Sequence, residues 1–189
     1  KKTGYTFQGW STTQGAPEVE YNAGDSIVYK KAGNLTLYAV WKANNYSIEY
    51  NANDTSGYYY GSAAGSTPYT SATYGQDVEI RACGYTLSGY TFKEWNTQAD
   101  GKGTAYTQGQ ALTKPNFCTG ASGNTEFTLY AIWKIQSYEL TLEKATGIAS
   151  VSAKEVAGQV TKVEGSENKY KVVYGTAVTL NYTLESGYN

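Results

Sequence analysis

Cys83 and Cys118 are the only thiols of this chain, and there is no histidine to activate either of them. Without imidazole, neither a Ser–His nor a Cys–His nucleophile pair can form, and the commonest metal ligand is missing. Two cysteines alone also fall short of a zinc set. Carboxylates are the remaining resource. Glu18, Glu20 and Asp25 lie close in sequence and in principle could supply the paired acids of a glycosidase, but they sit in no sharp motif. Scattered surface acids are the ordinary outcome. Asp100-Gly101-Lys102-Gly103 faintly has the look of a calcium loop, yet offers one carboxylate where several are needed. The chain is therefore expected to be no enzyme, with no catalytic, cofactor or metal site.

The two cysteines read better as structure. In an oxidising compartment they are expected to bridge, closing a loop of about 35 residues and contributing about 3–4 kcal/mol through loop entropy. Two reduced, buried thiols are the alternative. Tyr58-Tyr59-Tyr60, between a turn and Gly61, is the candidate contact surface. Consecutive strand residues point to opposite faces, so at least one ring should be exposed. Tyrosine offers large amphipathic contact at low entropic cost. A cross-strand aromatic ladder on a solvated sheet would use the same residues.

The elements that carry these residues announce themselves through tryptophan. All four indoles fall in two phrases that each occur twice. Gly4-Tyr5-Thr6-Phe7-Gln8-Gly9-Trp10 returns as Gly89-Tyr90-Thr91-Phe92-Lys93-Glu94-Trp95, and Leu37-Tyr38-Ala39-Val40-Trp41-Lys42 returns as Leu129-Tyr130-Ala131-Ile132-Trp133-Lys134. Self-similarity in a constant order marks a repeat array. Phe7, Trp10, Trp41, Phe92, Trp95 and Trp133 are expected to form the module cores. Each indole can bury about 150–250 Å². An open sugar-stacking platform is the competing use of the same rings.

More of the unit recurs. Alternating segments, Tyr46–Tyr50 and Tyr138–Leu142, begin five residues past Trp41 and Trp133, with the period of a strand buried on one face. Tyr74-Gly75 precedes Val78 and Ile80 as Tyr174-Gly175 precedes Val178 and Leu180. Residues 1–43 thus read as the C-terminal half of a repeat, 44–135 as a complete repeat, and 136–189 as the N-terminal part of a divergent one. Gly4 and Gly89 are 85 positions apart and Leu37 and Leu129 are 92 apart, so loops near 114–124 absorb the difference. Both faces of the Leu-Tyr-Ala-x-Trp strand are apolar, which suits a central strand. Trp10 falls out of alternation with Tyr5 and Phe7, and a bulge at Gln8-Gly9 would correct it. Val156, Val160 and Val163 have helical spacing, but Gly158 interrupts them and valine suits a strand equally well.

Tyrosine at 20 residues and glycine at 21 move the prior to mainly β structure. Net charge is −1 with the charges interspersed, so no basic stripe exists for nucleic acid. The apolar runs are too short for a transmembrane segment. Few charges among many hydroxyls suit an extracellular protein, and a chain with no methionine that starts at Lys1 reads as a piece of something longer.

On these residues, the paired Gly-Tyr-Thr-Phe-x-x-Trp and Leu-Tyr-Ala-x-Trp phrases resemble the Listeria–Bacteroides repeat, also called the internalin B-repeat family. The complete unit covers 44–135, with 1–43 as the end of a preceding copy and 136–189 similar to the divergent form. The resemblance implies an α+β, β-grasp-like module with little helix, repeated in tandem as small mixed sheets along a bacterial surface or secreted protein. Such repeats serve as stalks, spacers or adhesive segments. The loops at 51–73 and 110–126 and the two cysteines depart from the usual pattern. Partners implied are neighbouring repeats and a host-surface protein or glycan. Head-to-tail self-association is a further expectation, from sheet edges left open. Two functions follow: a stalk or spacer with an adhesive role, or a carbohydrate- or host-protein-binding module that uses exposed tyrosines.

Overall fold

In the computed structural model, residues 1–30, 32–115, 117 and 125–188 are described. Among them the protein is mainly β, with no helix, and is built as small mixed sheets. Residues 1–43 hold β1 (Tyr5–Ser11) and β2 (Tyr38–Ala43), an antiparallel pair. Their register shifts between Phe7 and Gly9, which is the bulge that Trp10 required. Gly9 has φ 153°, and a Cβ there would lie 2.5 Å from the Tyr21 carbonyl oxygen. Only glycine fits so close an approach.

The middle of the chain runs through β3 (Asn45–Asn51), β4 (Ala64–Gly65), β5 (Thr70–Thr73), β6 (Val78–Glu79), β7 (Tyr85–Thr86), β8 (Tyr90–Asn96), β9 (Ala105–Tyr106), β10 (Ala111–Leu112) and β11 (Thr125–Ile135). Five of these make one sheet in the order β5-β3-β11-β8-β9, while β6 pairs with β10 and β4 with β7. The ladder between β3 and β11 is parallel and that between β3 and β5 antiparallel. β11 is thus a central strand, and Leu129, Ala131, Ile132 and Trp133 are all buried. β2 has one strand neighbour, and its Ala39 is exposed. Apolar residues on both faces need a neighbour on each edge and cover on each side to be buried.

The last third holds β12 (Ser137–Thr141), β13 (Ile148–Ala153), β14 (Val160–Lys162), β15 (Lys169–Val173) and β16 (Leu180–Leu184). The first, third and fourth of these form a sheet ordered β12-β15-β14, and β13 pairs with β16. The stretch with helical valine spacing is strand, turn and strand. Val156 bridges Val160 around Gly158, whose φ of 71° suits glycine.

The chain divides into two compact units: Lys1–Asn53, Ser66–Gly84 and Glu94–Ala131 form one, and Asp54–Gly65, Tyr85–Lys93 and Ile132–Asn189 the other. Ile48, Ile80, Trp95 and Leu129 are fully enclosed in the first. In the second, Ala153, Val160 and Tyr170 are buried with Leu140, Leu142 and Val172 packed against them.

Candidate functional site

The indoles sit in unlike surroundings. Trp95 is 0 % exposed, packs on Tyr50 at 4.8 Å between ring centroids, and its Nε1 donates to the Arg81 carbonyl at 2.9 Å. Trp133 is also buried and meets Phe92 edge-on at 5.9 Å. Phe7 repeats that contact with Trp41 at 5.4 Å and adds Trp10 at 5.2 Å. Trp10, however, is 38 % exposed. Trp95 owes its cover to Tyr50 on β3 and to Arg81 just past β6, whereas the ring contact of Trp10 among the described residues is with Phe7.

The carboxylates close loops. Glu20 Oε1 accepts from Ser11 Oγ at 2.7 Å and from the Thr12 amide at 3.0 Å. Asp25 accepts from the Asn22 amide at 2.7 Å. Glu18 lines a groove beside Trp41 and Lys42. Asp100 accepts from the Lys102 amide at 3.0 Å, and that bond holds its carboxyl below the usual range. Glu20, Asp25 and Asp100 are each engaged by groups of their own loop, and among the described residues no three metal-ligating side chains converge. The Cys83 amide donates to Gln108 Oε1 at 3.1 Å; Cys118 lies outside the described residues.

Tyr58, Tyr59 and Tyr60 form a bend instead of a strand. Tyr59 turns inward, with its hydroxyl accepting from the Trp133 amide at 3.2 Å and its ring edge-on to Tyr90 at 5.6 Å. Tyr58 and Tyr60 stay exposed. An Asn-Asp-Thr-Ser-Gly turn before them sets this geometry, so alternation along a strand does not apply.

A different set of residues meets in the same way twice. In the first unit, the Asn44 amide donates to the Gly4 carbonyl at 2.9 Å, and the Tyr74 amide donates to the Asn44 carbonyl at 2.9 Å. In the second, Gln136 donates to Gly89 at 2.8 Å and Tyr174 to Gln136 at 2.9 Å. Gly4 and Gly89 have φ of 75° and 79°. A Cβ on them would fall 2.3 Å and 2.1 Å from the rings of Tyr74 and Tyr174. The tyrosine after each glycine meets the same ring edge-on: Tyr5 with Tyr74 at 5.4 Å, Tyr90 with Tyr174 at 6.1 Å.

Each constellation joins two half-repeats: a Gly-Tyr turn from one, a Tyr-Gly turn from the next, and a linker residue bonded to both. Sequence reasoning marked both stations but did not bring together the glycine and the tyrosine that closes over it. The signal was present in the recurrence of both stations in one order. Backbone hydrogen bonds at about 0.5–1.5 kcal/mol each, with an aromatic edge contact of similar size, make this a mechanical site.

A family model described as the Listeria–Bacteroides repeat domain matches residues 1–40 and 46–132. Two proteins of Evansella cellulosilytica are similar. One, provisionally named a Gly-rich membrane protein, is 33 % identical over 184 residues, which is 94 % of this chain and 18 % of that protein. The other, provisionally named a membrane protein, is 35 % identical over 144 residues, 75 % of this chain and 19 % of its own length. The chain thus spans under a fifth of these relatives. No solved structure matches.

Proposed function

Because this chain belongs to the Listeria–Bacteroides repeat domain family, we propose that it is a non-enzymatic repeat segment of a bacterial surface or secreted protein, acting as stalk or spacer. The observation that carries this reading is the joint built twice from the same parts. A spacer must limit swing between successive modules, and a linker bonded on both sides does so. The names of the relatives favour an envelope setting, and their length leaves room for whatever such a segment would hold apart.

Backbone order at the joint tests the proposal. Amide order parameters at Asn44 and Gln136 should match those of flanking strands, about 0.85, whereas values under about 0.6 would mean a free hinge and remove the spacer mechanism. An adhesive role has one observation in its favour: Tyr58 and Tyr60, on either side of the inward-turned Tyr59, are both exposed to solvent. Screening the whole chain against glycans and host glycoproteins decides between the two. Capture lost on joint replacement of Tyr58 and Tyr60 by alanine would make this a binding module.

A further inference from the structure

We infer, building on the stalk reading, that the complete repeat is a mechanical clamp: tension along the chain loads the parallel ladder of β3 with β11 in shear, all its rungs together. The first strand of the repeat, β3, pairs with its last, β11, over six register positions, from Tyr46 opposite Thr125 to Asn51 opposite Tyr130. The chain enters the repeat at the N-terminal end of β3 and leaves it at the C-terminal end of β11. Because the two strands are parallel, those points lie at opposite ends of the ladder. A pull from both sides therefore slides one strand along the other, and no rung yields before the rest. In an antiparallel hairpin such as β14 with β15, where Val160 faces Val172, the chain enters and leaves at the same end. The same pull would open that hairpin one rung at a time.

The place of the ladder in the sheet strengthens it. β3 has β5 on its other edge and β11 has β8, so neither loaded strand lies at a sheet edge. Tyr46, Ile48, Tyr50 and Leu129 are buried along it. Hydrogen bonds in such a dry setting are electrostatically stronger than in water, and none is at hand to replace a bond as it stretches. Stepwise slippage is also closed off. A shift of one residue would turn Tyr46, Ile48 and Tyr50 from the core to the polar face, and close-packed side chains resist any smaller displacement. Past the last register position, Asn53 adds a side-chain rung, its Nδ2 donating to the Ala131 carbonyl at 2.9 Å.

Single-molecule pulling on the whole chain tests this by changing only the direction of force. Azidophenylalanine handles in place of Asn45 and Tyr130 load the ladder lengthwise, and handles in place of Asn51 and Tyr130 load it crosswise from one end. Asn45 and Asn51 are exposed and the analogue keeps the ring at Tyr130, so both labelled chains should keep the wild-type circular dichroism spectrum. Lengthwise rupture should need severalfold more force than crosswise rupture. A second measurement needs no internal substitution. The reduced wild-type chain, pulled by its two ends, should break at the higher force with a gain of about 280 Å, the extended reach of the 85 residues from Tyr46 to Tyr130. Equal forces in the two directions, or release of that length at low force, would overturn the inference. Mobile amides at Asn44 and Gln136 beside an intact directional contrast would remove the spacer mechanism and leave the clamp standing.

Discussion

Trp10 and Trp95 occupy the same place in the same phrase, yet the first is an edge residue and the second a core residue. Burial depends on what lies across from a side chain, and for Trp95 that is Tyr50 and the Arg81 carbonyl. Removing a fully enclosed indole forfeits its transfer energy and leaves a cavity. Trp95→Ala should therefore destabilise the protein by about 3–5 kcal/mol, whereas Trp10→Ala should cost about 1 kcal/mol because solvent already reaches the ring. Urea unfolding of the two variants checks both. Aromatic identity was legible in the chain; enclosure was not, since it depends on strands contributed from elsewhere.

Among the elements, the parallel ladder of β3 with β11 is extended by one polar residue just past the end of β3. Asn53 is buried at φ 61°, and its Nδ2 donates to the Ala131 carbonyl at 2.9 Å and the Ala99 carbonyl at 2.8 Å. Asn53→Ala leaves both carbonyls without that donor and strains the left-handed backbone, so a loss of about 2–4 kcal/mol is expected. Asn53→Gly should lose less, because glycine accepts the dihedral freely. Amide exchange along β11 reports the difference. Strand existence could be read from alternation at Tyr46–Tyr50, and the bulge from a tryptophan out of phase. The Ser152–Glu164 stretch could not be decided locally, because valine spacing suits two periods and the ladder of β14 with β15 settles which is used.

Across the whole molecule, what repeats is the joint as much as the module. Gly89→Ala would place a methyl group against the Tyr174 ring and force a non-glycine residue to positive φ. Gly109 has nearly the same φ, 75°, with nothing within 4 Å of the added carbon. Gly109→Ala should thus cost the dihedral alone, about 1–2 kcal/mol, while Gly89→Ala should cost clearly more and raise the mobility of Gln136. Equal losses in thermal unfolding would mean that the Tyr174 lid contributes nothing.

Residue order alone determined the β class, the family likeness and the stations of each repeat. These are local or periodic properties, written in alternation, in turn residues and in recurring phrases. It could not say that Tyr74 and Tyr174 close over glycines contributed from distant parts of the chain, that Tyr59 turns inward while Tyr58 and Tyr60 face water, or that one tryptophan of four lies half outside. Those facts belong to long-range pairing: a side chain's surroundings are built by strands dozens of residues away, and no local pattern records which strands will arrive.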